Sequence, residues 1–317
     1  MGLYLGIDTS NYTTSAALYD RSNDILRGEK QLLPVREGEL GLRQSDAVFH
    51  HVRQLPEIVE KLMKDGTADI DGVAASDRPR QAEGSYMPCF LAGSGLAREF
   101  SALLSLPLHL FTHQQGHVAA AAYGAGRFDL LREPFLAFHV SGGTTDALLV
   151  QPDDEVVIRC ETVACSLDLK AGQLIDRVGG MLGLPFPAGP RLDLLAQKAR
   201  GSYRPRPALK DGCCSLSGVE NQCRGLKDRG GADEEIALFC LESVWAALDG
   251  MTRALRERFG PLPLLYAGGV MSNTLLKHKL SQEHGGLFAP PDLSADNACG
   301  IALLCAVREE GWLRASV

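Results

Sequence analysis

The chain has 317 residues, and several things are missing from it. None of its nine cysteines form a C-x-x-C pair, no stretch is long and apolar enough to span a bilayer, and basic residues are not in excess. Scattered cysteines, with only Cys213 and Cys214 adjacent, make no disulfide framework and fit a reducing cytoplasm. The lack of a long apolar run excludes a helical membrane span. Lys and Arg number 32 against 39 Asp and Glu, a net charge of −7, which excludes a broadly basic nucleic-acid surface and leaves only a local patch. The start, Met1 to Asp8, has no basic n-region and meets an acid too soon for a signal peptide. What remains is an ordinary soluble composition, 45% hydrophobic and 22% charged, with length enough for two lobes.

The order of elements is α/β. Leu3 to Ile7 reads as a buried strand, "DTSNYTTS" as a polar turn and Ala16 to Tyr19 as the returning strand. Helical periodicity covers Gln54 to Met63, and Val73 to Ser76 is a short strand before a Gly- and Pro-rich loop. Leu96 to Leu104 reads as helix and Leu108 to Phe111 as strand. "EPFLAFHVSGGTTDALLV" then repeats the opening grammar of strand, polar turn, strand. A gapless shift that lays Thr13 to Leu18 on Thr144 to Leu149 also lays Ser10 on Ser141, so one β-rich unit reads as duplicated. Leu174 to Leu182, Leu192 to Lys198 and Glu234 to Phe259 form a helical segment, followed by a strand into "AGGVMSN" and a last apolar helix, Ile301 to Val307. No low-complexity linker separates the halves. The expectation is a first lobe over 1–133 and a second over 134–317, with the last helix able to return to the first lobe, around a central cleft.

"HQQGH" places His113 and His117 four apart, so on a helix both imidazoles share one face and can grip one ion. A protease of the His-Glu-x-x-His type needs Glu where this chain has Gln114, which takes no proton. Taken alone, such a pair is more often two solvated or core histidines. A third ligand is required, and Asp296 in "LSADNACG" is the best candidate, with His50, His51 and His139 as rivals. Two imidazoles and a carboxylate suit Fe(II) or Zn(II).

Ser141-Gly142-Gly143-Thr144 lies between two strands, where glycines let backbone N–H groups surround an anion. Alone it is most often just a turn. It gains weight from Gly268-Gly269 and Asn273 downstream, because two glycine turns with a duplicated hairpin are the pattern of sugar kinases, actin and heat-shock chaperones. Asp176, among apolar helix positions, is either a surface acid or an acceptor for a ribose diol. Gly189, in "FPAGPRLD", is either an ordinary turn residue or part of the same nucleotide site.

Taken in order, these motifs resemble the TsaD (Gcp) family of tRNA adenosine threonylcarbamoyltransferases over nearly the whole chain. "LGIDTS" resembles that family's Gly-Ile-Glu-Thr-Ser, "HQQGH" its His-x-x-x-His and "VSGGTT" its Val-Ser-Gly-Gly-His-Thr. "AGQLIDRVGGMLGLPFPAGP" resembles the Gly-Glu-Ala-Phe-Asp-Lys segment with its Pro-Gly-Gly-Pro. "SLSGVEN" resembles Ser-Phe-Ser-Gly-Leu-Lys, "GGVMSN" resembles Gly-Gly-Val-Ala-Ala-Asn, and "ADNACGIAL" resembles Thr-Asp-Asn-Ala-Ala-Met-Ile. The resemblance implies an actin-like ATPase (ASKHA) fold of two duplicated lobes. It implies metal ligands His113, His117 and Asp296, and nucleotide contacts from Ser141, Gly142, Gly143, Thr144, Asp176, Gly189, Gly268, Gly269 and Asn273. It also implies ATP or an acyl-adenylate as ligand, a TsaB-like protein or a second copy as partner, and tRNA as the family's acceptor.

Departures point to a diverged member. The family's Cys-Asp-Glu-Thr turn is Asn11-Tyr12-Thr13-Thr14 here, so both carboxylates are gone. Thr144 replaces a His, Gln173 a Glu and Glu220 a Lys, and the loop from Ser76 to Gly95 carries Arg78 and Arg80. The expected reaction is a threonylcarbamoyl or carbamoyl transfer with tRNA disfavoured as acceptor. The alternative is a nucleotide-binding regulatory or scaffold subunit. A protease is excluded, because no activated nucleophile or Glu base stands beside the His pair.

Overall fold

A computed structural model describes residues 2–10, 12–34, 42–64, 69–290, 293 and 297–312. The chain groups into two compact units: Met1–Glu133 with Gln151–Cys160 and Asp292–Val317, and Pro134–Val150 with Glu161–Pro291. No helix among the described residues is long and apolar enough to cross a membrane.

The first unit is built on a five-stranded mixed sheet. Its strands are β1 (Leu3–Ser10), β2 (Thr13–Asp20), β3 (Ile25–Leu32), β4 (Gly72–Arg78) and β5 (Leu108–Thr112), in the order β3-β2-β1-β4-β5. β1 pairs antiparallel with β2 and parallel with β4, which pairs parallel with β5. β1 is almost wholly buried, as a strand covered on both faces must be, so it reads as a continuous apolar run rather than an alternation. Helices α1 (Gln44–Leu62) and α2 (Phe90–Leu104) pack with the sheet through Leu55, Ile58, Leu62 and Ala97 onto Leu5, Ile7, Val73 and Ala75.

The second unit repeats the plan. Its sheet runs β12-β11-β6-β7-β8, from β6 (Phe135–Val140), β7 (Thr145–Asp153), β8 (Val157–Cys165), β11 (Leu264–Ala267) and β12 (Leu287–Phe288), with the adjoining ends of β7 and β8 within Gln151–Cys160 grouped in the first unit. Read from the other edge, β8-β7-β6-β11-β12 matches β3-β2-β1-β4-β5, including antiparallel β6–β7 and parallel β6–β11. The shift that lays Thr13 on Thr144 carries β3 onto residues 156–163, seven of the eight within β8, so the duplication extends to a third strand. The core gathers around α7 (Asp233–Phe259), which buries Leu241, Val244, Leu248 and Met251 against Leu136, Phe138 and Tyr266 of the sheet. Asp233, Glu234 and Glu235 in its first turn and Arg256 and Arg258 in its last complement the helix dipole.

Several elements differ from the sequence expectation: α1 and α2 begin at Gln44 and Phe90 rather than at Gln54 and Leu96, and the last helix covers Asn297–Glu310 rather than Ile301 to Val307. "DTSNYTTS" is mostly strand, since Asp8 to Ser10 belong to β1 and Thr13 to Ser15 to β2; burial of Asp8, Thr9, Thr14 and Ser15 overrides their turn preference. The polar, exposed β3 lacks a periodic apolar face and is formed by pairing with β2. Helix α6 (Ser217–Asp228) buries only Cys223, too little to mark a stripe in the sequence.

Candidate functional site

The His pair is placed by a helix whose start is strongly specified. β5 runs directly into α3 (His113–Gly124), and Thr112 caps it: its Oγ1 accepts from Gln115 N at 3.2 Å, while Gln115 Oε1 accepts from Thr112 N at 2.7 Å. Gln115 Nε2 also donates to the carbonyls of Val156 and Ile158, at 3.2 and 2.6 Å. His113 and His117 therefore stand on one face of α3 with ring centroids 4.6 Å apart.

Asp8, at the carboxyl end of β1, reaches His113. Its Oδ1 lies 2.9 Å from His113 Nδ1 and accepts from Ser76 Oγ on β4 at 2.5 Å, and its Oδ2 accepts from Ser10 N at 3.3 Å. Burial pushes the Asp8 carboxyl up, but the charge and hydrogen bond of His113, with the bonds from Ser76 and Ser10, outweigh it and hold the group below its ordinary value. In the neutral ring, with Nδ1–H given to Asp8, Nε2 of His113 carries the lone pair; it lies 3.3 Å from Asn297 Nδ2. Asn297 opens the last helix, α9 (Asn297–Glu310), and its buried Oδ1 has no hydrogen-bond partner. Asp8, Ser76 and His113 thus meet at the carboxyl ends of parallel strands β1, β4 and β5, the end where open α/β sheets carry their sites.

His113 and His117 offer two imidazole donors on one face of α3. One imidazole is oriented by a carboxylate through its other nitrogen, the arrangement typical of metal-ligating histidine. Asp296, the expected third ligand, lies outside the described residues. Among the described residues no group of three or more His, Cys, Asp or Glu is placed to hold an ion. Of the rivals, His51 is engaged on α1, its Nδ1 2.8 Å from Thr14 Oγ1, and burial pushes it down to about 4 against the opposing pull of Asp8 and the Ser10 backbone. His139 sits on β6 opposite Asp146.

The expected nucleotide residues converge within the second unit. The Ser141 turn is closed by its own hydroxyl, which accepts from Gly143 N and Thr144 N at 3.3 and 3.2 Å. Helix α4 (Ala171–Met181) begins against it: Gly172 N donates to Ser141 O, and a Cβ on Gly172 would stand 2.6 Å from Gly142 N. Nothing lies within 4 Å of where a Cβ on Gly142 or Gly143 would stand, so this turn is open beside a helix N-terminus, a disposition suited to phosphate. Gly268, at φ 97°, presses on β6, where a Cβ would meet Val140 O at 2.3 Å. Asp176 Oδ1 accepts from Ala188 N at 2.9 Å, which fixes the loop before α5 (Gly189–Ala196). Asp193 of α5 in turn accepts from the N and Oγ1 of Thr274. Asn273 Oδ1 caps α8 (Thr274–His284) by accepting from Leu276 N at 3.0 Å, leaving its amide N–H groups for a ligand.

Two departures have structural partners. Glu220 bridges Arg177 of α4 and Arg224 of its own helix, at 3.0 and 3.3 Å, so its charge is locally matched. Gln173 Oε1 lies 3.4 Å from Lys170 N at the start of α4. The sequence reading did not single out Asp8, Ser76 or Asp193. For Asp8 the signal was an acid ending an apolar strand.

The model of the TsaD family, tRNA N6-adenosine threonylcarbamoyltransferase, matches residues 39–303. The chain belongs to this family. A tRNA N6-adenosine threonylcarbamoyltransferase of Listeria monocytogenes is 30% identical over 321 residues, covering 95% of this chain and 89% of the relative. One from Bacillus subtilis is 28% identical over 329 residues, covering 98% and 91%. Among solved structures, full-length HypF in its phosphate- and nucleotide-bound form superposes with a TM-score of 0.58 at 13% identity, covering 98% of this chain and 56% of that one. The (R)-2-hydroxyglutaryl-CoA dehydratase component A of Acidaminococcus fermentans superposes with a TM-score of 0.54 at 14% identity, covering 96% and 98%. These likenesses show the fold: two mixed five-stranded sheets with helices, the actin-like ATPase arrangement.

Proposed function

We propose that this TsaD-family chain is a (threonyl)carbamoyl-type transferase whose acceptor is not the tRNA adenosine named for its relatives. In this reading the second unit holds ATP or an acyl-adenylate on Ser141, Gly142, Gly143, Thr144, Asp176, Gly189, Gly268, Gly269 and Asn273. His113 and His117, with Asp296, hold Fe(II) or Zn(II). The observation that carries the reading is the Asp8–His113 contact, which fixes the ring with Nε2 presented as a ligand. A bound metal would supply Lewis acidity at an acyl or phosphate oxygen. The chain's own groups would orient the donor: backbone N–H groups of the glycine turn on phosphate, and the Asn273 amide on the nucleoside.

The change of acceptor rests on the β1–β2 turn. The family's two carboxylates are Tyr12 and Thr13 here. Tyr12 is 45% exposed, and Thr14 Oγ1 is committed to Gln54 Oε1 at 2.6 Å and to His51. Asp8, which precedes the turn on β1, is buried and engaged by His113 and Ser76. Transfer to an aromatic exocyclic amine calls for a positioned base, whose loss costs a factor of about 10²–10⁴ in rate. The same loss favours a second reading, a nucleotide-responsive subunit without transfer chemistry.

The test supplies threonine, bicarbonate, ATP, an adenylate-forming enzyme and unmodified tRNA, with the Listeria monocytogenes relative alongside. This chain should modify tRNA at least about 10²-fold more slowly while still consuming the acyl-adenylate with a non-tRNA amine. TRNA modification at the relative's rate, abolished by His113→Ala, would refute the change of acceptor. No acyl transfer to any amine, with ATP binding intact, would establish the second reading instead.

A further inference from the structure

An open surface cavity of about 570 Å³ lies in the first unit, lined by Arg78, Gln81, Glu83, Tyr86 and Arg159 among others, and nothing above assigns it a role. Its size suits a small molecule. The lining comes from two segments. Arg78 ends β4, two residues beyond the Ser76 that bonds Asp8, and residues 81–86 form the following loop. Arg159 comes from the start of β8, and Cys160 N donates to Gln81 Oε1 at 2.8 Å, which ties the segments together. The loop is also tied to the metal helix, since Gln114 N donates to Pro79 O at 3.0 Å. The cavity therefore adjoins the first turn of α3, which begins with His113.

Two guanidiniums facing one space repel unless something anionic lies between them. Arg78 meets Asp77 only at 3.5 Å and is 46% exposed, so most of its donors are open. Arg159 pairs with Asp153 through Nε, and its terminal nitrogens remain for another partner. A pair of guanidinium forks matches carboxylate or phosphate bidentately. Glu83, also in the lining, is the natural counter-charge for an ammonium, and the Tyr86 ring and Val156 supply apolar contact.

We propose that this cavity binds the acceptor, a small amine bearing a carboxylate or phosphate, with Arg78 and Arg159 on the anion and Glu83 on the amine. The word acceptor rests on the transferase reading above; the binding itself does not. The alternative occupant of a basic pocket, a tRNA backbone, is disfavoured by Glu83 within it and by the net charge of −7.

Calorimetric titration of the full chain with O-phosphoethanolamine, β-alanine and ethanolamine tests this. The expected result is saturable binding of one or both anionic amines and none of ethanolamine. Arg78→Met and Arg159→Met should each weaken that binding about tenfold or more, with thermal unfolding unchanged because both side chains are largely exposed. Preference for the phosphate or the carboxylate probe identifies the anion. Failure of both probes to saturate would overturn the proposal, as would binding insensitive to both arginine variants. Phosphate binding lost in Ser141→Ala but kept in the arginine variants would assign it to the glycine turn and overturn the proposal equally. So would binding of unmodified tRNA, lost in the arginine variants, without small-anion binding. ATP affinity measured in parallel separates these outcomes from failure of the transferase reading.

Discussion

Gly300→Ala should disturb α3, the helix of the His pair, from the far side of a helix crossing. Within the first unit α9 packs on α3 so closely that a Cβ on Gly300 would stand 1.8 Å from Gly116 O, the glycine of "HQQGH". Restoring an ordinary contact requires the backbones to part by roughly 1.5 Å, and both partners are backbone, so no side chain can turn aside. Alanine gains up to about 1 kcal/mol over glycine in helix propensity, while overpacking costs about 1–3 kcal/mol. The net expectation is a loss of about 1–2 kcal/mol. Gly180 is the control: it stands at an exposed position of α4, and nothing lies within 4 Å of its would-be Cβ. Gly180→Ala should gain about 0.5–1 kcal/mol. Urea unfolding midpoints of the two variants should therefore move in opposite directions. Gly300→Ala should also weaken zinc in a chelator competition, because α9 opens with Asn297 beside His113 Nε2. Equal stabilisation by both alanines would show that the crossing is looser than described and refute the reasoning.

Three further outcomes are expected. His51 is held neutral by burial at a value near 4 against an ordinary 6.5, so its contribution is complete above about pH 6.5 and is lost as pH falls toward 4; stability should drop by about 2–3 kcal/mol over that window, less any solvent screening, and His51→Gln should remove most of that dependence in urea titrations at pH 7 and 4.5. Asn273→Ala should cost about 1 kcal/mol of stability through the lost α8 cap and weaken ATP in calorimetry, whereas Asn273→Ser should restore the cap and leave the ATP defect. Asp8→Asn should lower zinc affinity about 10–100-fold in chelator competition, and an unchanged affinity would separate Asp8 from the metal site.

The duplication was legible because it is written in the strands: Thr13 to Leu18 and Thr144 to Leu149 occupy equivalent places in sheets of the same order. Strands without an apolar signature were not legible. β3 is exposed along nearly all its length and exists because β2 offers it a partner, information held elsewhere in the chain. The polar run after Ile7 reads as turn because Asp, Thr and Ser favour turns, yet Asp8, Thr9 and Thr14 are buried and satisfied by partners distant in sequence, among them Ser76, the Cys89 carbonyl, His51 and Gln54, while Ser15 donates to the Asp8 carbonyl across the hairpin. A polar side chain buried by long-range hydrogen bonds looks, in sequence, like one left in water.

The same limit governs "HQQGH". Spacing alone put His113 and His117 on one face, because helix geometry is local. The three residues between them answer to the rest of the unit. Gln114 gives its N–H to Pro79 O and so anchors the loop that lines the arginine cavity. Gln115 closes the capping box and bonds the carbonyls of Val156 and Ile158. Gly116 lets α9 approach near enough to bring Asn297 to His113. The position that carries Glu in a His-Glu-x-x-His protease is here used to hold a loop by its backbone, which any residue but proline could do. Absence of a base at that position therefore argues against peptide cleavage without weakening the case for a metal.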